Sequence, residues 1–326
     1  MPDRRDDAPS GVGDADRPLF TVFTPTYNRA ATLHRVYESL ATQTFGDFEW
    51  LVVDDGSTDG TAELVRRWRA EARFPIRCVW QANQGKHVAL NRGVREASGA
   101  LFLTIDSDDE CVPTALERLK FHWDQIPETS REGFAAVTAL AQDQHGNLIG
   151  NRFPRDVLDS NSIELVYRYK VRGDKWGFTR SDVLRRFPFP DDGTRFVPES
   201  LVWDEISREY RTRFVNEILL TAWLRPSPAP SDRSEAASRY ARGLARWNLY
   251  VLNRHLAWFR YDPMRFVLSA VRYTRFSLLD RQGPRRQLGQ LENARGRALW
   301  WLTLPLGWAA FAIDRVRVSR RARPAG

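Results

Sequence analysis

The chain has 326 residues, of which 42% are hydrophobic and 12% aromatic, and its formal net charge is +8. This length allows one large domain or two modest ones, and the apolar content excludes an intrinsically disordered protein. The two cysteines, Cys78 and Cys111, lack metal-ligand spacing. We therefore expect a reducing compartment, with neither a zinc site nor a disulfide framework.

The charge is unevenly distributed along the chain. Residues 232–326 contain 19 Arg, no Lys and six acidic residues, a net charge of +13, which leaves −5 for residues 1–231. A basic region of this kind is typical of contact with nucleic acid, an anionic membrane surface or an acidic substrate. Residues 1–18 are polar and rich in Gly and Pro, without the apolar core of a signal peptide, so we expect a disordered leader on a cytoplasmic protein.

Strand and helix patterns alternate from residue 19 onwards. The apolar runs LFTVFTP, WLVVDD, IRCVWQ and ALFLTID predict four strands, and helical spacing predicts a helix after each of the first three. A helix, PTALERLKFHWDQI, and a strand, FAAVTALAQD, follow. This alternation predicts an α/β fold with a mostly parallel sheet flanked by helices.

The pattern loosens beyond about residue 150. Residues 173–210 mix aromatics, prolines and charges, which is typical of functional loops, here around one helix that starts near Pro198. The segment RPSPAPSD, residues 225–232, is the expected domain boundary. After it, stretches dense in Trp, Tyr, Phe and Arg predict a helical, basic and aromatic C-terminal region over residues 226–326.

Polar clusters follow three of the predicted parallel strands. They are PTYNR after the first, DDGSTDG after the second and DSDD after the fourth. Because ligands bind outside the carboxyl ends of parallel strands, we expect the clusters to meet at one edge. Carboxylates gathered there suit Mg²⁺ or Mn²⁺, which take their other ligands from phosphate and water. Neither a P-loop lysine motif nor Gly-x-Gly-x-x-Gly follows the first strand, so a metal-bound nucleotide diphosphate is the favoured ligand.

The motifs PTYNR, VVDDGSTDGT and NQGKHVALNRGVREASGALFLTIDSDD resemble the nucleotide-binding half of the family 2 glycosyltransferases, over about residues 19–145. GDKWGF and FVPESLVWDEIS resemble the acceptor half of one branch, over residues 146–225. The resemblance implies a GT-A fold and inverting transfer of a sugar from a nucleotide-sugar, usually a UDP-sugar. It also implies a divalent metal, Mn²⁺ or Mg²⁺.

The resemblance also implies roles for single residues. Tyr27 would lie against the uracil, Asp55 would accept a hydrogen bond from the base, and Lys86 would lie near the base or the diphosphate. Asp106 and Asp108 form the DxD motif, the first near the ribose or metal and the second as metal ligand. The other implied positions are Pro25 and Thr26 in the base pocket, and Asp109 behind the metal ligands.

Inverting transfer needs a general base, and a carboxylate is the usual choice. The family places it at a helix start, often as Glu-Asp, but here Ser200 follows Glu199. Glu199 is therefore the first candidate, Asp204 the second and Glu205 a distant third. For Asp204 a plain solvent-facing acid is an equal alternative.

The motif GDKWGF supplies the expected acceptor-side residues, Asp174, Lys175 and Trp176. Trp176 either stacks on a sugar ring or is a buried core side chain. The sequence does not separate these two interpretations.

Residues 298–313, ALWWLTLPLGWAAFAI, form an uncharged run between arginines. The run is shorter than a spanning helix and we expect Pro305–Gly307 to interrupt it, so a segment lying in the membrane interface is favoured. A helical lid that uses the aromatics as core is the alternative. Nucleic acid is not an expected partner, because no recognition module is present.

Together these features predict a metal-dependent glycosyltransferase, cytoplasmic and peripheral on the inner face of the cell membrane. Its partners would be a nucleotide-sugar donor, a saccharide or lipid-linked acceptor and an anionic membrane surface. Two alternatives remain. One is a catalytically silent nucleotide-sugar-binding protein of the same fold, and the other is a sugar-nucleotide nucleotidyltransferase, which would want a Gly-rich basic loop where PTYNRAATLH stands.

Overall fold

A computed structural model describes residues 17–194, 196–224 and 236–321, with side chains to residue 317. The leader expected over residues 1–18 lies outside the described residues except for its last two. The boundary expected at residues 225–232 lies entirely outside them. The chain forms two compact units. The first comprises Met1–Asp191 and Val202–Leu224, and the second comprises Asp192–Leu201 and Arg225–Gly326.

A nine-stranded sheet organises the first unit, in the order β3-β2-β1-β4-β8-β6-β9-β5, with β7 paired to β9. Strands β1 to β4 are parallel neighbours, β6 and β9 are also parallel, and β8 runs antiparallel between β4 and β6. The predicted mostly parallel α/β sheet is confirmed. The strands are β1 Phe20–Thr26, β2 Phe48–Asp54, β3 Ile76–Trp80, β4 Leu101–Thr104, β5 Glu110–Cys111, β6 Phe134–Asp143, β7 Val157–Ser160, β8 Lys175–Arg180 and β9 Arg211–Ala222.

Helices follow the strands as the alternating pattern predicts. Their apolar positions face the sheet, and the buried core includes Trp50, whose indole N–H donates to Thr24 Oγ1 at 3.0 Å. Burying the hydrophobic faces of both layers is the main stabilising contribution. The helices are α1 His34–Ala41, α2 Thr61–Glu71, α3 Lys86–Glu96, α4 Ala115–Asp124, α5 Glu128–Arg131, α6 Ser162–Tyr167, α7 Ser181–Arg186 and α8 Ser200–Glu209, the last of which begins in the second unit.

Helix α3 packs unusually close to β1. A Cβ placed on Gly93 would lie 2.3 Å from the Phe23 ring, and that ring is itself stacked on Phe102. Only a residue without a side chain permits this approach. The contact holds α3 against the strand.

The segment expected to be loops around one helix contains more regular structure than predicted. Strand β8 occupies much of GDKWGFTR, and β7 and β9 add a second set of pairings. Within β8, Gly177 allows the Val137 carbonyl to approach, since an added Cβ would lie 2.0 Å from that oxygen. Neighbouring strands thus supply the order that the local sequence does not signal.

The second unit is helical, as predicted for the C-terminal region. Its buried centre includes Leu252, Tyr273 and Trp300. No helix in the described ranges is both long enough and apolar enough to cross a membrane. The helices are α9 Ala241–Arg254, a 3₁₀ turn Leu256–Tyr261, α10 Pro263–Leu279, α11 Pro284–Gln290 and α12 Ala294–Arg321.

The expectation that Pro305–Gly307 interrupts the apolar run was wrong. Helix α12 continues through Pro305 over 28 residues. Proline removes one backbone hydrogen bond from a helix interior. Here Pro305 lies on the exposed side, while Thr303 and Gly307 on the opposite side are buried and packed. Packing of that side against the neighbouring helix compensates for the lost bond.

Candidate active site

The carboxyl ends of β1 to β4 meet at one edge of the sheet. Thr26 on β1 is in register with Asp54 on β2, and Asp54 in turn with Trp80 on β3. The next backbone donors continue this edge, because Asp55 N–H donates to the Thr26 carbonyl at 2.8 Å and Ile105 N–H to the Phe23 carbonyl at 2.9 Å. The three polar clusters therefore emerge side by side, as the strand pattern predicted.

The loops after β1 and β2 hold each other in place. Asn28 adopts a positive φ of 52°. Its N–H donates to Ser57 Oγ at 2.9 Å, and its side-chain oxygen accepts from the Thr58 N–H at 2.8 Å. The Ala30 N–H donates to Asp59 Oδ2 at 3.1 Å. PTYNR and DDGSTDG thus form one connected rim, and Tyr27 stands at its exposed side, 48% accessible.

Asp55 is buried and organises the loop that precedes α3. Its Oδ1 accepts from Gln81 Nε2 at 2.7 Å and from the Gln84 N–H at 3.0 Å, and its Oδ2 accepts from the Gly85 N–H at 2.8 Å. A carboxylate offers about four acceptor positions, so one remains for a further donor. Contact of Asp55 with a nucleobase stays a prediction.

Two buried oxygens lie at the same edge without a hydrogen-bond partner within the described structure. They are Thr26 Oγ1 and Asp54 Oδ2, on residues that are in register. Buried polar atoms usually have partners, and unsatisfied ones often mark a place where a ligand or water binds. Pro25, the residue before Thr26, is buried in β1. These atoms are consistent with a polar ligand at the edge.

Lys86 begins α3 and pairs with the first acid of the DxD motif. Its Nζ lies 2.7 Å from Asp106 Oδ1 and 3.0 Å from Oδ2. Both side chains are well exposed, at 44% and 45%. An exposed ion pair is worth at most about 1 kcal/mol, so it can rearrange when a charged ligand arrives.

Asp108 lies among arginines from the loop after β1 and from α1. Its Oδ2 is 3.7 Å from Arg29 Nη1, and its backbone carbonyl accepts from Arg35 Nη1 at 3.1 Å. Nearby, Thr32 Oγ1 donates to the Ser107 carbonyl at 3.0 Å. The DSDD segment is thus bound through its backbone, which leaves its carboxylates oriented by the loop.

Asp109 is hydrogen-bonded to the residue that follows β9. Its Oδ1 accepts from the Trp223 N–H at 2.9 Å. Burial raises the pKa of Asp109 to about 7, and the charges of Asp106 and Asp108 act in the same direction. The Arg35 guanidinium lies over the Trp223 ring, with its Cζ atom 3.7 Å from the ring centroid. Sequence reasoning missed Arg35 and Trp223, since neither belongs to a motif.

The side chains around the DxD motif indicate whether its two acids suit a divalent metal. No group of three or more His, Cys, Asp or Glu side chains in the described ranges could by itself hold a metal ion. A Mg²⁺ or Mn²⁺ ion that arrives with phosphate needs only one or two carboxylates. Asp106 and Asp108 would supply these oxygens, and the cationic side chains of Lys86 and Arg29 lie nearby for the phosphates. The residues fit a metal–diphosphate ligand.

The expected acceptor-side residues differ in their surroundings. Asp174 is exposed, while Lys175 Nζ donates to the Ile149 and Arg172 carbonyls, each at 3.0 Å. Burial lowers the pKa of Lys175. Trp176 is only 7% exposed, lies in the core and donates from its indole to the Thr104 carbonyl at 2.7 Å. The ring thus has the surroundings of a core side chain, and an acceptor role for it stays a prediction.

The three candidate bases lie at or near the start of α8. Glu199 directly precedes the helix, is half-buried and belongs to the second unit. Asp204 belongs to the first unit, and its Oδ1 accepts from Ser162 Oγ at 3.0 Å. Glu205 lies 3.9 Å from Arg208 on the exposed side of the helix. The choice among them stays a prediction.

Comparison with protein families identifies the segment that carries these clusters. Residues 21–150 match Glycosyl transferase family 2. The matched segment is similar to the family 2 glycosyltransferases. It contains β1 to β6 and every donor-side residue predicted from the sequence, from Pro25 to Asp109.

Two curated glycosyltransferases match this chain over similar lengths. The uncharacterized glycosyltransferase YibD of Escherichia coli is 39% identical over 99 residues, which is 30% of this chain and 28% of YibD. The validoxylamine A glucosyltransferase of Streptomyces hygroscopicus is 47% identical over 94 residues, 28% of this chain and 22% of that enzyme. The match therefore spans less than a third of the length of each of these two relatives.

Solved structures resemble the chain over most of its length. S. aureus TarS 1–349, in complex with UDP, has a TM-score of 0.58 at 18% identity, covering 94% of this chain and 93% of its own. The mannosyltransferase PcManGT from Pyrobaculum calidifontis, in complex with GDP-Man and Mn²⁺, has a TM-score of 0.54 at 18% identity, covering 97% and 90%. This likeness confirms the predicted GT-A fold.

Proposed function

We propose that this protein is a metal-dependent, inverting glycosyltransferase that moves a sugar from a UDP-sugar to a saccharide or lipid-linked acceptor. The observation that carries the proposal is the convergence of Asp55, Asp106 and Asp108 with Lys86 and Arg29 at one edge of the sheet. Acids and cations in such proximity suit a ligand that carries both a divalent metal and a diphosphate.

The donor would bind along this edge. Tyr27 offers an exposed aromatic face for the base, and buried Asp55 retains one acceptor position beside it. Asp108, with Asp106, would hold Mn²⁺ or Mg²⁺, and a bound metal neutralises charge on the leaving diphosphate. Lys86 would then exchange Asp106 for a phosphate oxygen. UDP is the favoured nucleotide because TarS, a neighbour in fold, is described with UDP, although PcManGT is described with GDP-Man.

Transfer requires a base that removes the acceptor proton while the acceptor oxygen attacks the anomeric carbon. Glu199 is the first candidate, because it stands at the helix start where the family places its base. Asp204 is the second, and its bond from Ser162 would fix the carboxylate orientation. Asp174 and Lys175 would lie on the acceptor side. We also propose a cytoplasmic location, peripheral on the inner face of the cell membrane.

Calorimetric titration with UDP, with and without Mn²⁺, tests the donor site. Asp108→Asn should abolish the metal-dependent part of UDP binding, because it replaces the carboxylate assigned as the metal ligand with a neutral amide. Glu38→Gln, which neutralises an exposed acid on α1, is the matched control and should bind as the wild type does. Unchanged metal-dependent binding in Asp108→Asn would refute the metal assignment.

Turnover distinguishes an enzyme from a silent binding protein, an alternative favoured by Ser200 in place of the second acid of the usual pair. Glu199→Gln and Asp204→Asn should each keep UDP affinity, and the one that carries the base should lose transfer by at least about a hundredfold. Sugar release from UDP-sugars with a panel of saccharide and lipid-linked acceptors provides the measurement. If neither the wild type nor either variant transfers sugar to any acceptor, the result favours a catalytically silent nucleotide-sugar-binding protein.

A further inference from the structure

Helix α12 presents an apolar face to its exposed side. We call this the outer face of α12 and define it by its large apolar side chains. Leu302, the most accessible of them, is 79% exposed. An uncharged surface that runs along about four helical turns is far more apolar than an ordinary protein exterior. The members of the outer face are Trp301, Leu302, Leu306, Trp308, Ile313 and Val316, each at least 45% exposed.

The opposite side of α12 is buried, yet much of it is small or polar. Gly307 meets α10 so closely that an added Cβ would lie 2.4 Å from Thr274 Cβ. Asp314 is 1% exposed and forms a two-point ion pair with Arg275 of α10, at 2.6 and 2.8 Å. Thr303 is also buried and donates to the Leu299 carbonyl at 2.9 Å. The helix therefore lacks the polar outer side of a surface helix on a water-soluble protein, and its buried side combines Trp300 with small and polar residues.

Helix α10 also carries exposed apolar side chains, and its buried side is mixed. Met264 and Leu268 are exposed, while Ser269, Thr274 and Ser277 are buried alongside aromatic side chains such as Tyr273. Helices that pack through small and hydroxyl side chains while apolar side chains face outward are typical of proteins in contact with lipid. The pattern thus extends over two adjacent helices of the same unit and does not depend on one residue.

Arginines bracket the apolar face. Arg295 and Arg297 precede it, and Arg315 and Arg317 flank its last member, Val316; all four arginines are exposed. On α10, Arg272 lies close enough to Arg265 and Arg275 for their charges, after burial, to lower its pKa. Positive charge concentrated beside apolar side chains is complementary to an anionic membrane surface. Trp301 and Trp308 are the side chains that prefer the headgroup level.

We propose that the outer face of α12 lies in the interface of an anionic lipid bilayer. The helix would lie parallel to the membrane plane, because its other side is packed on α10 and only one side is available to lipid. Apolar side chains would enter the acyl boundary, and the arginines at both ends would contact anionic headgroups. This deepens the proposed peripheral location and rests on it, but not on the transfer reaction.

Vesicle flotation with the full chain tests the proposal. Wild type should float with vesicles of phosphatidylcholine and phosphatidylglycerol in about a 2:1 ratio, and much less with phosphatidylcholine alone. Leu302→Glu combined with Leu306→Glu should abolish flotation, because it places two charges on the face that enters the lipid. Arg315→Gln combined with Arg317→Gln should weaken binding about thirtyfold.

A matched control separates the face from the added charge. Ala70→Glu combined with Val157→Glu adds the same charge at exposed positions of the first unit and should float as the wild type does. Flotation of the Leu302 and Leu306 double variant at the wild-type level would overturn the proposal. A second result would also overturn it: the wild type does not bind vesicles and sediments as a dimer, whereas the double variant sediments as a monomer. A second copy of the chain would then cover the outer face of α12.

A second measurement covers the case in which the double variant misfolds. Vesicles with brominated acyl chains should quench the tryptophan fluorescence of the wild type, and Trp301→Phe with Trp308→Phe should remove most of that quenching. Undiminished quenching in this conservative variant would contradict the assignment. UDP titration of each variant reports separately on the donor site, so loss of membrane binding and loss of nucleotide binding are distinguishable.

Discussion

Asp109 and Trp223 are 114 positions apart in the chain and are joined by a hydrogen bond of 2.9 Å from the Trp223 N–H to the carboxylate. The Trp223 ring supports the Arg35 guanidinium, which in turn binds the Asp108 carbonyl. The end of β9 is therefore tied to the DSDD segment by a short chain of contacts. Disturbing any of them should disturb the carboxylates predicted to hold the metal.

Arg35→Ala should weaken metal-dependent UDP binding by about tenfold, because it removes both the stacking on Trp223 and the hydrogen bond to the Asp108 carbonyl. Arg35→Lys should restore only part of the affinity, since an ammonium group lacks the planar fork. Calorimetry measures both. Arg67→Ala, at an exposed position of α2, is the control. An Arg35→Ala variant with wild-type affinity would show that the carboxylates are held without these contacts.

Lys86→Met should affect metal binding and diphosphate binding in opposite directions. Without nucleotide, Mn²⁺ should bind up to about fivefold more tightly, because Asp106 loses a competing cation, while UDP in the presence of Mn²⁺ should bind more weakly. Electron paramagnetic resonance of free Mn²⁺ and calorimetry with UDP measure the two effects. Lys120→Met removes a comparable exposed pair with Asp124 on α4 and should change neither. If Lys86→Met strengthened or weakened both Mn²⁺ and UDP binding, Lys86 would not exchange Asp106 for a phosphate oxygen.

Glu217 should make the stability of the first unit depend on pH. Hydrogen bonds from Arg118, and then from His122, lower the pKa of Glu217 from 4.5 to about 2. Its contribution is therefore present above pH 4.5 and is lost as the pH falls towards 2. Because the group is partly exposed, Glu217→Gln should lower the free energy of unfolding by about 1–2 kcal/mol at pH 7.

Urea unfolding at pH 7 and near pH 2 measures this difference, which should shrink at the lower pH. Glu128→Gln is the control, since Glu128 is 87% exposed and lies 3.7 Å from Arg131. A Glu217→Gln variant with the same deficit at both pH values would assign the effect to packing, and not to charge.

Gly93→Ala should destabilise the protein by about 1–3 kcal/mol, because the new methyl group must displace the buried Phe23 ring. The better helix propensity of alanine offsets part of this cost, by about 1 kcal/mol. Since α3 begins at Lys86, UDP affinity should fall together with stability. Gly60→Ala, with open space around the position, should have little effect on either. A stable Gly93→Ala variant would mean that the ring moves freely.

Much of the first unit was predictable from local patterns. Strands β1 to β4 are short apolar runs and the helices between them have clear spacing, so the parallel order and the shared edge of PTYNR, DDGSTDG and DSDD followed. Strands β7 to β9 were not predictable, because their sequences mix polar and apolar residues. Their order comes from pairing with strands that are distant in the chain. Arg35 and Trp223 were missed for the same reason.

The sequence by itself determined that residues 298–313 are uncharged and flanked by arginines, but it wrongly predicted an interruption at Pro305–Gly307. It did not determine which side of that helix is exposed, because apolar residues occur all around it. The tertiary structure decided this through Gly307 and Asp314, which require close approach and an ion pair with α10. A glycine permits a close helix contact and a buried acid demands its arginine, so these residues face inward together with Trp300. Trp301, Leu302, Leu306 and Trp308 face outward.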